Sequence, residues 1–298
     1  MDDKKRLIII DSNSLLHRSF HALPPLTAKS GEQTGAIYGF LLVLFKAIKD
    51  LQANYIVACF DTKAPTFRHE KFVDYKAQRP ETSKEIVSQL SRVKEILEKL
   101  KIPVFAKDGF EADDLIATIA TTAKNQSGSL HIYILSGDLD NLQLVDKNTS
   151  VYTLGRGIKD TAVYDESRVV ERFGVKPSQM IDFKALAGDP ADNIPGVPGV
   201  GKKTAAELIQ KFGGVENLYN QISQGMANIK PRIKDILIDN KNKALLSLEL
   251  VEMKKDVDMK FLLDDCKFGE FNLKEVEEKL RVFDFNSLIS RLPSLLSR

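Results

Sequence analysis

The sequence predicts an α/β protein in which a mostly parallel central sheet with flanking helices is followed by a mostly helical part. Short runs rich in Ile and Val, at 7–10, 55–60, 102–105 and 131–135, alternate with longer segments of helical periodicity. This alternation is typical of strands joined by crossover helices. From about Val175 onward the strand signals fade, and helical segments separated by Gly and Pro take over.

Two helices are predicted between the strands of the first part, at 36–51 and 84–100. The second carries Ile86, Leu90, Val93, Leu97 and Leu100 on one face, which suits a helix that covers a sheet. The later helices are expected at 178–187, 203–212 and 241–252. We find no internal repeat and no flexible linker, so we expect two parts, 1–172 and 173–298, that share a continuous core.

Composition narrows the class of protein. The chain has 298 residues with 43% hydrophobic content, enough for a sizeable core, and its 43 basic and 41 acidic residues leave a net charge of +2 that favours no partner by itself. Cys59 and Cys266 lie far apart, and neither has a second Cys or a His at ligand spacing, which argues against zinc and against a disulfide framework. The longest apolar stretch, 35–45, is too short to cross a bilayer. We expect a soluble, cytoplasmic protein without a membrane partner.

The acidic residues of greatest interest fall in five contexts, three of which directly follow predicted strands. Ligands gather outside the carboxyl ends of parallel strands, so these side chains should meet at one edge of the sheet. Clustered carboxylates repel one another by about 1 kcal/mol per pair in water and about 4 kcal/mol at intermediate dielectric, a cost that divalent cations reverse. Oxygen-only ligands indicate Mg²⁺ or Mn²⁺. The candidate ligands are Asp11, Asp61, Glu111, Asp113, Asp114, Asp138, Asp140, Asp189 and Asp192.

A simpler interpretation of the acidic residues is helix capping and turn formation, which Asp and Glu favour at first helical turns and strand ends. It accounts for any one of them, but it does not require five contexts to converge on one edge. Asp189 and Asp192 are the weakest candidates, because Gly188-Asp189-Pro190 is also a good turn that ends a helix.

A glycine-rich hairpin at 194–204 predicts a contact with nucleic-acid backbone. Its glycines permit a tight turn and close approach to a phosphate, while the following helix N-terminus offers amide groups. The pattern is a helix-hairpin-helix signature, which would hold duplex without reading bases. The simpler interpretation is an ordinary turn between two helices. The candidate DNA contacts are Gly196, Gly199, Gly201, Lys202, Lys203 and Thr204.

The segment from Thr62 to Ser83 interleaves cationic and aromatic residues directly after Asp61. Lysine and arginine suit phosphates and rings suit stacked bases, so the segment is expected to contact a single strand near the acidic site. Within it, Arg68 and Tyr75 are predicted DNA contacts, and Lys76 and Arg79 follow closely. A solvated surface loop is the alternative interpretation.

Five sequences together resemble the 5′-nuclease domain of bacterial DNA polymerase I, a family that includes flap endonucleases. They are DSNSLLHRSFHALPPLT, FDTKAPTFRHEKFVDYKAQRP, GFEADDLIATIA, SGDLDNLQL and KALAGDPADNIPGVPGVGKKTA, and the resemblance covers essentially the whole chain. It implies a PIN-like sheet, a helical arch at about 62–83, and a helical part that carries the hairpin.

The resemblance also implies roles for particular residues. Asp11, Asp61, Glu111, Asp113 and Asp114 would surround one metal site, and Asp138, Asp140, Asp189 and Asp192 another. Lys76 and Arg79 would contact the scissile phosphate with Arg18 nearby, and a K⁺ ion would lie at the hairpin. Many relatives have Tyr where this chain has His17, which is either a base-stacking residue with an added pH dependence or a plain helix surface residue.

The resemblance implies a 5′-3′ exonuclease and 5′-flap endonuclease that hydrolyses phosphodiesters in replication and repair with two or more divalent ions. The expected partners are branched or 5′-flapped DNA, including RNA-primed ends, and the expected state is a monomer. Two alternatives stay open: a PIN-type ribonuclease, and a non-catalytic protein that binds DNA of particular structure.

Overall fold

The computed structural model describes residues 4–155, 157 and 160–296. Among these residues, six strands form one sheet in the order β3-β2-β1-β4-β5-β6, parallel except for the antiparallel pairing of β6 with β5. The predicted fold class is therefore confirmed. The strands are β1 (Lys5–Asp11), β2 (Tyr55–Cys59), β3 (Val104–Phe105), β4 (Leu130–Leu135), β5 (Thr149–Leu154) and β6 (Thr161–Tyr164).

Helices connect the strands of the first part and make up most of the second. In chain order the first set is α1 (Ser12–Ala22), α2 (Gly35–Leu51), α3 (Phe67–Lys71), α4 (Lys84–Lys99), α5 (Ala112–Gln126) and α6 (Glu166–Phe173). The second set is α7 (Met180–Ala187), α8 (Lys202–Phe212), α9 (Val215–Ser223), α10 (Pro231–Asp239), α11 (Lys241–Val251), α12 (Leu273–Arg281), α13 (Asn286–Ile289) and α14 (Pro293–Leu296). Short 3₁₀ turns lie at Asp140–Leu144, Pro177–Gln179 and Leu263–Cys266.

Hydrophobic clusters cover both faces of the sheet. Alternate residues of β1 point to opposite faces, and those from Leu7 to Ile10 are all apolar and buried. Leu7 and Ile9 belong to a hydrophobic cluster with α5 and the helices α7–α9. Ile8 and Ile10 belong to a second cluster with α1, α2, α4 and the C-terminal helices. The first cluster draws buried residues from both predicted parts of the chain, so one core supports the sheet and the helical segment together.

The third strand is shorter than expected because of Pro103. A prediction of 102–105 is reduced to two residues, since proline has no N–H to give to the ladder. The Pro103 carbonyl still accepts a hydrogen bond from the Ala58 amide at 2.9 Å. The Ile102 amide donates to the Leu97 carbonyl and not to the sheet. The strands β5 and β6 were not predicted.

No described helix combines the length and apolar character needed to cross a membrane.

Replacing Ile9 with Ala should lower the free energy of unfolding by about 2–5 kcal/mol, because the side chain is fully buried in the central strand and the cavity could not collapse. Urea denaturation of the full chain measures the change. Val73→Ala is the control: Val73 is 85% exposed, and its loss should shift stability by no more than about 0.5 kcal/mol. Equal effects of the two variants would contradict the assigned core.

Candidate active site

A cleft of about 920 Å³ opens at the carboxyl ends of β1, β2 and β4. Its acidic side chains come from five separate stretches of the chain, which the sequence predicted to meet at one edge of the sheet. Six of the nine candidate carboxylates line it, namely Asp11, Asp61, Glu111, Asp113, Asp138 and Asp192. The predicted catalytic cations Arg18, Lys76 and Arg79 and the predicted DNA contact His17 line it as well.

Asp11 is the last residue of β1 and also the cap of α1. Its Oδ1 accepts from the Ser14 amide at 3.2 Å, and its Oδ2 accepts from the Ser136 hydroxyl at 2.6 Å. Burial raises the pKa of Asp11 to about 7, a rise that the Ser136 hydrogen bond moderates and that the neighbouring charges of Asp61 and Asp138 add to. The capping interpretation thus holds for this residue, but it does not explain the accumulated negative charge.

The start of α5 presents three of the carboxylates in three different environments. Glu111 caps the helix in a reciprocal box with Asp114. Burial alone would raise the pKa of Glu111, but ion pairs with Lys76 and Arg68 bring it below its ordinary value. Asp113 accepts from Asn141 Nδ2 at 3.0 Å, and burial together with the charges of Asp11 and Asp138 raises its pKa well above normal.

Asp140 and Asp189 lie behind the cleft lining and are joined by Lys184. The lysine Nζ contacts Asp140 Oδ1 and lies 2.8 Å from Asp189 Oδ2. Burial raises the pKa of Asp140 to about 6, against the opposing effect of Lys184, with the Asp138 charge adding to the rise. One ammonium group therefore holds two acidic loops together.

The segment at 74–79 is docked on the loop at 190–193. The Lys76 amide donates to the Asp192 carbonyl at 3.0 Å, and Asn193 Nδ2 donates to the Asp74 carbonyl at 2.7 Å. Lys76 Nζ lies 2.8 Å from Glu111 Oε1 and 3.7 Å from Asp192 Oδ2, and Arg79 also contacts Asp192. Lys76 adopts a φ of 55°, a left-handed conformation that is costly for a non-glycine residue. The docking contacts hold its ammonium group between two carboxylates.

Arg68 and Tyr75 require a correction, because the structure does not bring them to a surface that DNA could reach. Arg68 is 2% exposed and its guanidinium forms a bidentate pair with Asp114 at 2.8 and 2.9 Å. The Arg68 Nε also donates to the Leu250 carbonyl at 2.8 Å. Tyr75 is 3% exposed, with its hydroxyl 3.1 Å from Glu111 and 3.2 Å from Asp192. Both side chains fasten the arch segment to the carboxylates and to the end of α11.

The pairing with Arg68 also sets Asp114 apart from the other candidate ligands. Its side chain is fully buried, outside the cleft lining, and its Oδ1 additionally accepts from the Lys254 amide at 2.9 Å. Both oxygens are thus used by neighbours that hold α3 and the segment after α11 against α5. This geometry suits a residue that orients Glu111.

His17 and Arg18 lie on the face of α1 that borders the cleft. Burial and the nearby charges of His21 and Arg79 lower the pKa of His17, so the ring is mainly neutral at neutral pH. Arg18 donates to the Gly155 carbonyl at 2.8 Å.

The hairpin between α7 and α8 directly follows the loop of Asp189 and Asp192. Gly196 is required by close approach, since a Cβ there would lie 2.3 Å from the Gly188 amide nitrogen. The Gly196 amide donates to Ser247 Oγ at 3.0 Å, which fastens the hairpin to α11. Gly199 has a φ of 89°, Gly201 caps α8, and Lys202 and Lys203 are exposed at its first turn, followed by the half-buried Thr204. The predicted turn between two helices is present, a few residues along the chain from Asp189 and Asp192, and its contact with DNA stays a prediction.

A divalent ion such as Mg²⁺ needs several oxygen ligands close together. Among the described residues, no three His, Cys, Asp or Glu side chains stand close enough together to hold one. Two pairs of the candidate ligands are bridged by ammonium groups: Lys184 contacts both Asp140 and Asp189, and Lys76 lies near both Glu111 and Asp192. The oxygen-only donors and the raised pKa of Asp11 and Asp113 fit a hard cation, provided that these ammonium groups give way.

Three functional contacts were missed at the sequence level: Ser136, Asn141 and Lys184 each bond a candidate ligand. Ser136 and Asn141 flank the Asp138 and Asp140 pair in the chain, so proximity to that motif was the available signal. Lys184 looked like an ordinary polar residue of α7, and no pattern indicated its two carboxylate partners.

Carboxylates that follow several strands thus meet at one edge of a mostly parallel sheet, beside cationic side chains. The sequence matches the 5′-3′ exonuclease N-terminal, resolvase-like domain over residues 6–174 and the 5′-3′ exonuclease C-terminal SAM fold over residues 175–274. The chain belongs to the 5′-3′ exonuclease family.

Individual relatives agree with this assignment. The chain is 37% identical over 291 residues to the 5′-3′ exonuclease of Aquifex aeolicus, covering 98% of this chain and 96% of that protein. It is 36% identical over 292 residues to DNA polymerase I of Bacillus subtilis, covering 98% of this chain but 33% of the polymerase. The chain thus spans about a third of the length of the polymerases that it matches.

Among solved structures, the fold is similar to that of the bacteriophage T5 flap endonuclease in a pseudo-enzyme–product complex with DNA and metal ions. The TM-score is 0.67 at 21% identity, with 98% of each chain covered.

Replacing Asp11 with Asn should stabilise the protein without added metal at pH 8 and change little at pH 4. The folded protein holds a proton on Asp11 up to about pH 7, whereas the unfolded chain releases it near the ordinary pKa of 3.8. The unmodified protein therefore loses stability from this group as the pH rises through that window, on the order of a few kcal/mol.

Thermal denaturation in chelator at the two pH values measures the effect. Added Mg²⁺ should reverse the order, since only the carboxylate gains from the ion. Asp165→Asn is the control: hydrogen bonds from Ser167 and Arg168 lower the pKa of Asp165, so that variant should be the less stable one at pH 8. Destabilisation of Asp11→Asn in chelator would contradict the charge repulsion described above.

Proposed function

We propose that this chain is a divalent-metal-dependent 5′-3′ exonuclease and 5′-flap endonuclease that acts on branched DNA, including RNA-primed ends. The observation that carries the proposal is the convergence of carboxylates from β1, β2, α5 and the segment after β4 in one cleft, in a member of the 5′-3′ exonuclease family. The name of the Aquifex relative and the DNA and metal ions of the T5 complex support it.

The carboxylates would hold two or more Mg²⁺ or Mn²⁺ ions, with Asp11, Asp61, Glu111 and Asp113 on one side and Asp138, Asp140, Asp189 and Asp192 on the other. Asp114 would act through Arg68 and the cap of α5. Bound ions would activate water for attack on phosphorus and offset the charge that builds on the phosphate.

Lys76, Arg79 and Arg18 would bind the scissile phosphate. Lys76 and Arg79 now neutralise Glu111 and Asp192, and a phosphate offers them the same charge in exchange. When they move to the substrate, the carboxylates become free of their internal cations. Substrate binding and completion of the acidic site are thereby coupled, and charge stabilisation of the reacting phosphate follows.

Specificity would depend on shape. The hairpin at 194–204 would bind the sugar-phosphate backbone of duplex DNA, and backbone carbonyls of the same turn would hold a K⁺ ion. A frayed 5′ strand would pass through the cleft beside His17. The short connection between the hairpin and Asp192 supports a fixed distance from the gripped duplex to the cleavage position.

A division near residue 173, between a nuclease core and a helical DNA-binding part, completes the proposal. It is supported by the last strand, which ends at Tyr164, and by the junction of the two family domains at 174 and 175. Two free, buried cysteines, Cys59 and Cys266, support a reducing cytoplasmic location.

Asp138→Ala should retain affinity for 5′-flapped duplex and lose cleavage by about 100-fold or more, because the side chain lines the cleft and would position an ion. Gel-resolved products, with and without Mg²⁺, and a binding titration in Ca²⁺ measure the two effects. Asp146→Ala is the control, since Asp146 pairs with Lys124 away from the cleft. Unchanged cleavage by Asp138→Ala would remove this residue from the proposed ligands.

The same assay separates the competing functions. A ribonuclease would cleave single-stranded RNA and ignore the flapped duplex, and a non-catalytic binder would bind the flap without releasing any product in Mg²⁺.

The double variant Lys202→Glu with Lys203→Glu should weaken duplex binding at low salt and make its salt dependence shallower by about two charges, because each backbone-bound lysine contributes about one to the slope. Fluorescence anisotropy across a salt series measures the slope. Lys49→Glu with Lys274→Glu is the matched control: both lysines are exposed on helices of the opposite sheet face. Equal loss in both double variants would remove the hairpin from the contact surface.

A further inference from the structure

We propose that Ser136 is a positioning residue that fixes the spacing between the two groups of carboxylates in the cleft. The inference rests on the proposed function, because it assigns Ser136 to the metal-binding arrangement of that same site. Ser136 follows β4 directly and is fully buried.

The hydroxyl of Ser136 joins a carboxylate of the first group to the loop that carries a carboxylate of the second. It donates to Asp11 Oδ2 at 2.6 Å and accepts from the Asp138 amide at 2.9 Å. Asp11 ends β1, whereas Asp138 lies in the loop after β4, and the two strands run parallel as neighbours. A hydroxyl has one proton to donate and lone pairs to accept with, so a single oxygen serves both loops.

The backbone of Ser136 is held independently of its hydroxyl. Its amide donates to the Tyr152 carbonyl of β5 at 3.1 Å, which continues the sheet ladder. The side chain is thus left for the contact between Asp11 and the Asp138 loop. Without it, two acidic segments that repel each other would lose the short bond that sets their separation.

Ser136 is uncharged, unlike the lysines that also bond the carboxylates. Lys184 and Lys76 occupy space between acid pairs and would have to yield to incoming cations. Ser136 contacts Asp11 from the protein side, carries no charge, and can keep its bonds when an ion arrives. Orientation of ligand oxygens by such neighbours is typically worth 10–100-fold in metal affinity or activity.

The test compares Ser136→Ala, Ser136→Cys and Ser136→Thr in the full chain. Mn²⁺ binding is measured by electron paramagnetic resonance without DNA, and cleavage of a 5′-flapped duplex gives kcat and KM. Alanine, which removes the donor, and cysteine, which weakens it, should lower Mn²⁺ affinity and kcat by about 10–100-fold and leave KM for DNA unchanged. Threonine keeps the hydroxyl, so the Ser136→Thr variant should retain most of the Mn²⁺ affinity and most of kcat.

Ser19→Ala is the matched control, since Ser19 is an equally buried serine whose hydroxyl donates to the Leu15 carbonyl inside α1 at 2.8 Å. It should bind Mn²⁺ and cleave like the unmodified protein. If Ser136→Ala does not fold, as judged by circular dichroism, the nearly isosteric cysteine variant decides.

Mn²⁺ affinity and kcat equal to those of Ser19→Ala in the alanine or cysteine variant would overturn the inference, and so would a threonine variant no better than alanine. Failure of the proposed function looks different: the unmodified protein itself would release no product in Mg²⁺ or Mn²⁺.

Discussion

Repulsion among buried carboxylates is the constraint on which the rest of this structure depends. Asp11 and Asp113 keep raised pKa values because burial and like charges both disfavour ionisation. The protein offsets part of this cost with its own cations: Lys184 and Lys76 each join carboxylates from different segments, and Arg68 pairs with Asp114 at the start of α5. The same ion pairs thus neutralise charge and hold the acidic loops in position.

The sheet makes such an arrangement sustainable. Its two faces are buried in separate hydrophobic clusters, and the central strand contributes fully buried side chains to both. A rigid edge can then carry charges that a loop could not hold together against their repulsion. Arg68 links the helical part to that edge, because its guanidinium bonds both the Leu250 carbonyl at the end of α11 and Asp114 of α5. Within the helical part, Ser247 of α11 bonds the hairpin at Gly196. The arch segment and the hairpin therefore both contact α11.

Sequence reasoning succeeded where the local pattern and the tertiary role coincide. The apolar runs that lead to Asp11 and Asp61 are strands at the predicted edge, and the glycine hairpin has the predicted turn. It missed β5 and β6, since Thr and Ser in TSVYTL conceal a strand whose residues are all buried. It was wrong about Arg68 and Tyr75, because an arginine and a tyrosine beside an acidic motif look alike whether they face a ligand or face the acids.

The sequence by itself determined the first four strands in their alternation with helices, the kinds of ligand atom available and the hairpin, because these follow from periodicity, side-chain chemistry and glycine geometry over a few residues. Only the tertiary structure decided which side chain bonds which carboxylate. Lys184 with Asp140, Arg68 with Asp114 and Ser136 with Asp11 are pairs separated by 44, 46 and 125 positions. Such contacts depend on how the sheet and helices pack, and no local pattern encodes them.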